Sequence, residues 1–445
     1  MVFLPRRGAA ATLALATLFS AGHAAADPPV QHKEPYIVLL TIGPGDPLWT
    51  RFGHTALMVM REHRGTKGYD SRVYNYGAAD FGASGFAWRF FRGTSRFFVA
   101  MTGTFNDTVN AYAASNRGVR YQKLNLTAEQ VQRVIARLEH DAKPENREYP
   151  YHHLTSGCAT KVRDLLDEVV GGAIRRQLGT RPDPHTPRHY GRLAFAGDFW
   201  AEIASDLFMG RLHDRPQTRY FALYMPRLLL EYLQRVKVPD PAASPRSGPQ
   251  GREDREPAGA KGLVPLAGPP SLLVDRRGAP PTAGQGRTLI HLTYLFLGYM
   301  LVLGILAVIG GARHPRRAGI WLLTWSVPMG IAAGMMVFGA LASTVAEGRI
   351  NELMLSFPVT DMALIWIGIR WVRGRVVSSR LLRAYALIRL LMVVAVLTAH
   401  APGLLVQQPR IVVVLALVCT LLLNLVLRRL PAPSTDPTQP ALPGE

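Results

Sequence analysis

An α+β exported domain, a Pro/Gly-rich linker and an all-α transmembrane module of about five helices is the architecture this sequence predicts, and three observations carry it. The first is an N-terminal export signal: Arg6 and Arg7, then the small and apolar run Ala9 to Ala21, then Ala24-Ala25-Ala26 as a cleavage site before Asp27. The second is a set of apolar stretches at about Leu289 to Gly311, Ile320 to Thr344, Leu353 to Ile369, Leu387 to Val406 and Ile411 to Leu427. Each approaches the ~20 residues a helix needs to cross the hydrocarbon core. The third is a mixture of strand-like and helix-like periodicity between the two. The expected order is signal 1–26, exported domain 27–235, linker 236–287, membrane domain 288–430 and cytoplasmic tail 431–445.

Charge orients the module. With residues 27 onward outside, the loops after spans one and three and the tail face the cytoplasm. Those carry Arg313, Arg316 and Arg317, then Arg370, Arg373, Arg375, Arg380 and Arg383, then Arg428 and Arg429. The two external loops carry only Arg349 and Arg410, as the positive-inside rule requires. The chain as a whole has 51 Lys+Arg against 31 Asp+Glu, a formal charge of +20. Much of that excess is topogenic arginine, which argues against a nucleic-acid surface and leaves a mildly basic exported domain suited to anionic headgroups. Spans three and four are weakened by Asp361 and Arg389. A carboxylate in a span marks either a functional site or a protonated structural group facing the bundle. The linker holds 10 Pro and 8 Gly in 52 residues, a composition expected to form an extended, flexible tether.

Within the exported domain, Tyr36 to Ile42 is a continuous apolar strand broken by Gly43 to Pro47, and Thr55 to Met60 and Val73 to Tyr76 are further strands. Thr127 with Gln130 forms a capping box before Val131, Val134, Ile135 and Leu138 on one helical face. A second helix follows Cys158, with Val162, Leu165, Leu166 and Val169 on one stripe and Gly171-Gly172 at its end. Gly85 to Met101 interleaves Trp88, Phe90, Phe91, Phe97 and Phe98 with Arg89, Arg92 and Arg96. That pattern suits either a headgroup interface or ordinary core packing.

Cysteine usage singles out one residue. Of the two cysteines, Cys419 lies in the last span and Cys158 in the exported domain, so a disulfide between them is not expected. An unpaired thiol outside the cell is a liability unless it is buried and inert or is used. Cys158 is placed at a helix start, where free amides and the dipole stabilise thiolate, with Lys161 and Arg163 nearby. A nucleophilic thiol needs a base. His54, after Gly53 at the mouth of a strand, is the candidate, with a core histidine as the alternative. His152 and His153 suggest a zinc site, but no second cluster has ligand spacing, so neither a metal nor a cofactor is expected. Asn75 on the neighbouring strand is the candidate to orient His54, with Asp80 and Tyr76 in reserve.

These residues fall within a longer series: Thr41 to Asp46, Trp49, Arg51 to His54, Val73 to Gly77, Asn116-Arg117, Leu124 to Thr127, Pro144 to Arg147 and Cys158 to Thr160, with Gly210, Asp214 and Met225-Pro226 towards its close. Over roughly residues 35–233 it resembles the N-terminal periplasmic domain of Lnb-type lipoprotein N-acyltransferases. The resemblance implies a papain-like fold in permuted order, distantly similar to lecithin:retinol acyltransferase, with His54 as base and Cys158 as nucleophile. The family usually has Asn before its Cys, where this chain has Gly157. The implied activity is transfer of an acyl chain from a phospholipid, through a Cys158 thioester, to the N-terminal amine of a lipoprotein at the bacterial inner membrane. The alternatives are a papain-like cell-wall peptidase or amidase and a non-catalytic lipid-binding envelope protein.

Overall fold

The computed structural model describes residues 32–242, 262–280, 288–310, 314–375, 380–407 and 410–430. The expected signal, the tail and two stretches of the linker lie outside the described residues. The chain divides into two compact units, the first comprising residues 1–90, 94–182 and 218–280 and the second 91–93, 183–217 and 281–445.

Among the described residues the first unit has nine strands: β1 (Tyr36–Ile42), β2 (His54–Glu62), β3 (Tyr69–Ala78), β4 (Arg96–Thr102), β5 (Val119–Lys123), β6 (Glu148–Pro150), β7 (Lys237–Pro239), β8 (Leu263–Pro265) and β9 (Ser271–Val274). Seven form one antiparallel sheet in the order β6-β4-β3-β2-β1-β5-β9, and β7 pairs with β8. Helices α1 (Phe86–Arg92), α2 (Phe105–Ala114), α3 (Ala128–Asp141), α4 (Cys158–Val169) and α5 (Ala173–Leu178) follow the strands in chain order. β1 and β2 read as unbroken apolar runs because both sheet faces are covered. Val38, Leu40, Ala56, Met58 and Val73 pack with Tyr112 of α2, and α3 and α4 pack against the other side. Each such Leu, Ile or Val contributes roughly 1.5–3 kcal/mol relative to exposure. The Thr127–Gln130 capping box opens α3 and buries Val131, Val134, Ile135 and Leu138, the face the sequence pattern predicts.

The linker expectation is corrected in part. Residues 262–280 fold onto the first unit: β9 is an edge strand beside β5, and Leu266 and Ala267 are buried. Asn116 grips the backbone of Arg277 through both ends of its amide, and Arg276 pairs with Asp46 at 2.7 Å. Pro and Gly here punctuate short strands instead of preventing them, and Pro on an edge costs no ladder bond.

The second unit holds α6 (Pro187–Phe195), α7 (Phe199–Phe208), α10 (Thr288–Gly310), α11 (Pro315–Ala342), α12 (Ala346–Arg349), α13 (Leu353–Ser356), α14 (Met362–Val372), α15 (Arg380–Ala399) and α16 (Ile411–Arg429). The short α8 (Arg219–Ala222) and α9 (Pro226–Leu233) belong to the first. Residues 183–217, assigned by sequence to the exported domain, therefore group with the apolar helices. Arg188 of α6 is fully buried and forks onto Asp214 and Asp206.

Among the described residues four helices, His291–Gly310, Pro315–Ala342, Arg380–Ala399 and Ile411–Arg429, are long and apolar enough to cross a membrane. The expected third span is instead a broken pair, Ala346–Ser356 and Val359–Val372, bent by 49° at Pro358. The fourth begins seven residues earlier than expected and ends before Pro402-Gly403. One interaction links the two segments. Asp361 and Arg389 are buried and pair with each other, Arg389 Nε 3.1 Å from both carboxylate oxygens and Nη2 2.9 Å from Oδ2, with Tyr385 donating to Asp361 at 2.6 Å. Asp361 thus faces the bundle interior, paired with Arg389. Asp361→Asn leaves Arg389 buried without its counter-ion and should lower stability by about 3–5 kcal/mol, whereas Asp361→Leu with Arg389→Met should recover most of the loss. Thermal unfolding of the detergent-solubilised protein checks this; equal stability of the wild type and the single variant would contradict it.

Candidate active site

The site is assembled where the first turn of α4 meets the ends of β2 and β3. His54 is the first residue of β2, is 4% exposed, and follows Gly53, whose φ of +80° turns the chain into the strand. A Cβ at residue 53 would lie 2.8 Å from the Ile42 carbonyl, so the backbone approach itself demands glycine. Cys158 is the first residue of α4, and Gly157 is the cap. The amide of Thr55, the residue after His54, and that of Ala159 both donate to the Cys158 sulfur. Gly77, at φ +89°, closes the other side, with an added Cβ only 3.5 Å from Cys158 Cβ.

His54 and Asn75 are brought into contact. His54 Nε2 lies 3.0 Å from Asn75 Oδ1, and the Asn75 amide nitrogen donates to Thr102 Oγ1 at 2.8 Å. The second bond fixes the amide orientation, so the carbonyl end accepts from Nε2–H and Nδ1 carries the lone pair. The two reserves are elsewhere: Tyr76 donates to Asp141 of α3 at 2.8 Å, and Asp80 accepts from the Gly82 amide in an exposed loop. Thr102 was not evident from the sequence, because its role passes through a strand pairing, β3 with β4.

The expected source of positive charge is corrected. Arg163 is tied to Asp164 at 2.7 Å and to the Tyr220 carbonyl, and Lys161 lies over the Tyr149 ring. The cation that acts on the thiol is Arg117, which is 3% exposed. Its Nε donates to the Gly43 carbonyl at 3.0 Å, its guanidinium stacks over Tyr112, and its Nη2 is buried without a hydrogen-bond partner. Asn116 before it has φ +50°, a left-handed position that Asn tolerates and that turns the next residue inward. His152 and His153 stack on each other, and no third ligand-bearing group joins them among the described residues.

Electrostatically the pair is neutral at rest. Burial, aided by Arg117, holds the His54 pKa well below 6.5, against the Asn75 bond that raises it. Burial pushes the Cys158 thiol above 9.0, opposed by the Thr55 and Ala159 amides and by Arg117. Both shifts favour the uncharged imidazole and the uncharged thiol, against the preformed thiolate that the helix start suggested. Both cysteines are free thiols.

Residues 25–190 match the family model described as the Lnb N-terminal periplasmic domain. The match contains every residue of the site just described and agrees with the resemblance read from the motifs. No curated protein and no solved structure matches the chain. The Lnb N-terminal domain followed by apolar helices fits a membrane protein with a periplasmic N-terminal domain.

At the family's usual Asn position, Gly157 has an extended backbone (φ −105°), and an added Cβ would make only ordinary contacts of 3.7–3.9 Å with Tyr151 and the His152 and His153 carbonyls. Gly157→Asn should therefore fold normally and raise stability by about 0.3 kcal/mol through a capping bond; a fall in melting temperature would refute this geometry. The raised thiol pKa makes a second test. At pH 7 the thiolate fraction is smaller than in free cysteine, so Cys158 should react more slowly with iodoacetamide and accelerate only as pH rises past 9. Faster alkylation than free cysteine at pH 7 would show a preformed ion pair.

Proposed function

We propose that this chain is a membrane-bound thiol acyltransferase of the Lnb type, with Cys158 as nucleophile, His54 as base and Asn75 as the residue that positions His54. The observation that carries the reading is the hydrogen-bonded His54–Asn75 pair at the strand end whose next amide, that of Thr55, binds the Cys158 sulfur. The order of base on an early strand and nucleophile at a later helix start supports a permuted papain-like assignment.

In the proposed reaction the Cys158 proton passes to His54 Nδ1 as the sulfur attacks the carbonyl carbon of an acyl ester, for which a phospholipid is the donor we favour. The carbon–oxygen bond breaks, the alcohol leaves with the proton from His54, and a thioester remains. An amine then attacks, His54 takes its proton, and an amide forms as the thiol is restored. The α-amino group of a diacylglyceryl-modified lipoprotein cysteine is the proposed acceptor, and the outer face of the inner membrane the proposed location. The free amide of Cys158 in the first helical turn is a donor for the oxyanion, and buried Arg117 favours the same negative charge.

A lipid substrate is supported by an aromatic run that begins beside the thiol. Tyr151 stacks on Phe97 at 4.0 Å, Phe97 meets Phe81 and Phe86, and Phe81 stacks on Trp49. No residue of α1 is buried, and Trp49, Trp88 and Phe90 are about half exposed. A wall peptidase has no use for such a surface.

Incubation with labelled phospholipid should give a hydroxylamine-labile acyl adduct on wild type and none on Cys158→Ala. His54→Ala should slow its formation by about 10²–10⁴-fold, and Asn75→Ala by less. Cleavage of wall peptides without an adduct would establish the hydrolase instead, and inertness of the wild type in both assays would leave lipid binding alone.

A further inference from the structure

At the far end of β2, away from Cys158, three ligand-type side chains converge from separate parts of the first unit: His32 from the segment before β1, His63 just past β2, and Asp70 near the start of β3. His32 Nε2 lies 3.4 Å from Asp70 Oδ2, and His63 Nε2 lies 3.2 Å from Asp70 Oδ1. One ligand atom from each residue falls within 4.8 Å of the others. Two features set this apart from a pair of surface ion pairs. His63 Nε2, despite its distance from the carboxylate, is buried and makes no hydrogen bond, and the His32 Nδ1 is also buried without one. The two imidazoles also converge on one carboxylate, His32 on Oδ2 and His63 on Oδ1, so that both nitrogens and a carboxylate oxygen can face one ion.

From this geometry we propose that His32, His63 and Asp70 form a divalent transition-metal site, best suited to Zn²⁺, with water as the fourth ligand. Two neutral imidazoles and one carboxylate are a borderline donor set that favours zinc over the hard cations calcium and magnesium. The site is a structural clamp. It closes the same junction that the backbone begins to close, where His32 bridges His63, Lys33 N–H donates to the Glu62 carbonyl at 2.7 Å and Arg64 donates to the His32 carbonyl at 3.0 Å. His54 and His63 lie at opposite ends of a nine-residue strand, roughly 25–30 Å apart, so the ion takes no part in chemistry at Cys158. Sequence spacing conceals the site because His32 is separated from the other two ligands by β1, β2 and the loop between them.

The test uses full-length, untagged protein in detergent, stripped with EDTA and titrated with Zn²⁺ by calorimetry and with Co²⁺ by absorption. The wild type should bind one ion that His63→Asn and Asp70→Asn each weaken by roughly 10-fold or more, with tetrahedral Co²⁺ bands lost in both variants. Zn²⁺ should raise the melting temperature of the wild type and not that of the variants. His32→Gln, which leaves the hairpin itself intact, separates loss of the ion from misfolding. Absence of zinc binding by the wild type, or unchanged binding in all three variants, would overturn the assignment. Acyl transfer by zinc-free protein is expected to continue, so failure here is distinct from failure of the proposed reaction.

Discussion

The close approach of the first turn of α4 to the ends of β2 and β3 governs the chemistry available to this molecule. Cys158 must lie against the Thr55 amide while His54, one residue earlier, turns towards Asn75. Two positive-φ glycines allow it: Gly53 lets β2 start beneath the Ile42 carbonyl, and Gly77 withholds the side chain that would crowd Cys158. The same closeness removes water, and dehydration penalises whichever form is charged. Thiol and imidazole are thus both driven to neutrality, and Arg117, the nearest buried cation, offsets the burial of the sulfur only in part.

What was legible in the sequence was what is set locally. β1 read as a buried strand because its apolar run is continuous, α3 because Thr127 and Gln130 cap each other, and α4 because its stripe begins at Cys158 and stops at two glycines. His54 and Cys158 stood out by residue type and by position at an element's start. What was not legible depended on partners distant in the chain. Lys161 and Arg163 are near Cys158 in sequence, yet Lys161 extends over the Tyr149 ring, and Arg163, five residues on and so on another helical face, pairs with Asp164. Arg117 reaches the site only because β5 runs beside β1. β9 was hidden for the same reason: its Pro- and Gly-rich surroundings carry no strand signal, and only pairing with β5 makes it one.

The membrane unit repeats that lesson with charges. Asp361 and Arg389 each weakened the expectation of a span when taken alone, because an isolated charge in hydrocarbon is costly. Together they satisfy one another, with Tyr385 taking part of the remaining hydrogen-bonding capacity. The break at Pro358 places the carboxylate at the end of a short 3₁₀ turn, Val359–Asp361, where α14 begins, and not midway along a regular helix.

A neutral resting pair bears on the choice between transfer and hydrolysis. A preformed thiolate would be reactive towards any electrophile that met the exposed face of the domain, whereas a desolvated thiol becomes nucleophilic only when an ester carbonyl is close enough for proton transfer and attack to proceed together. The demand continues in the second half of the proposed cycle. Where bound lipid completes the cover over the half-buried Cys158 sulfur, its thioester is hydrolysed slowly, so an amine delivered alongside lipid has time to reach it. The hydrophobic surround that raises the thiol pKa is, on this reading, also what turns a hydrolase geometry towards aminolysis. A substitution that admits water next to Cys158 without touching His54 would then shift product from amide to free fatty acid before it lowered the rate of acylation.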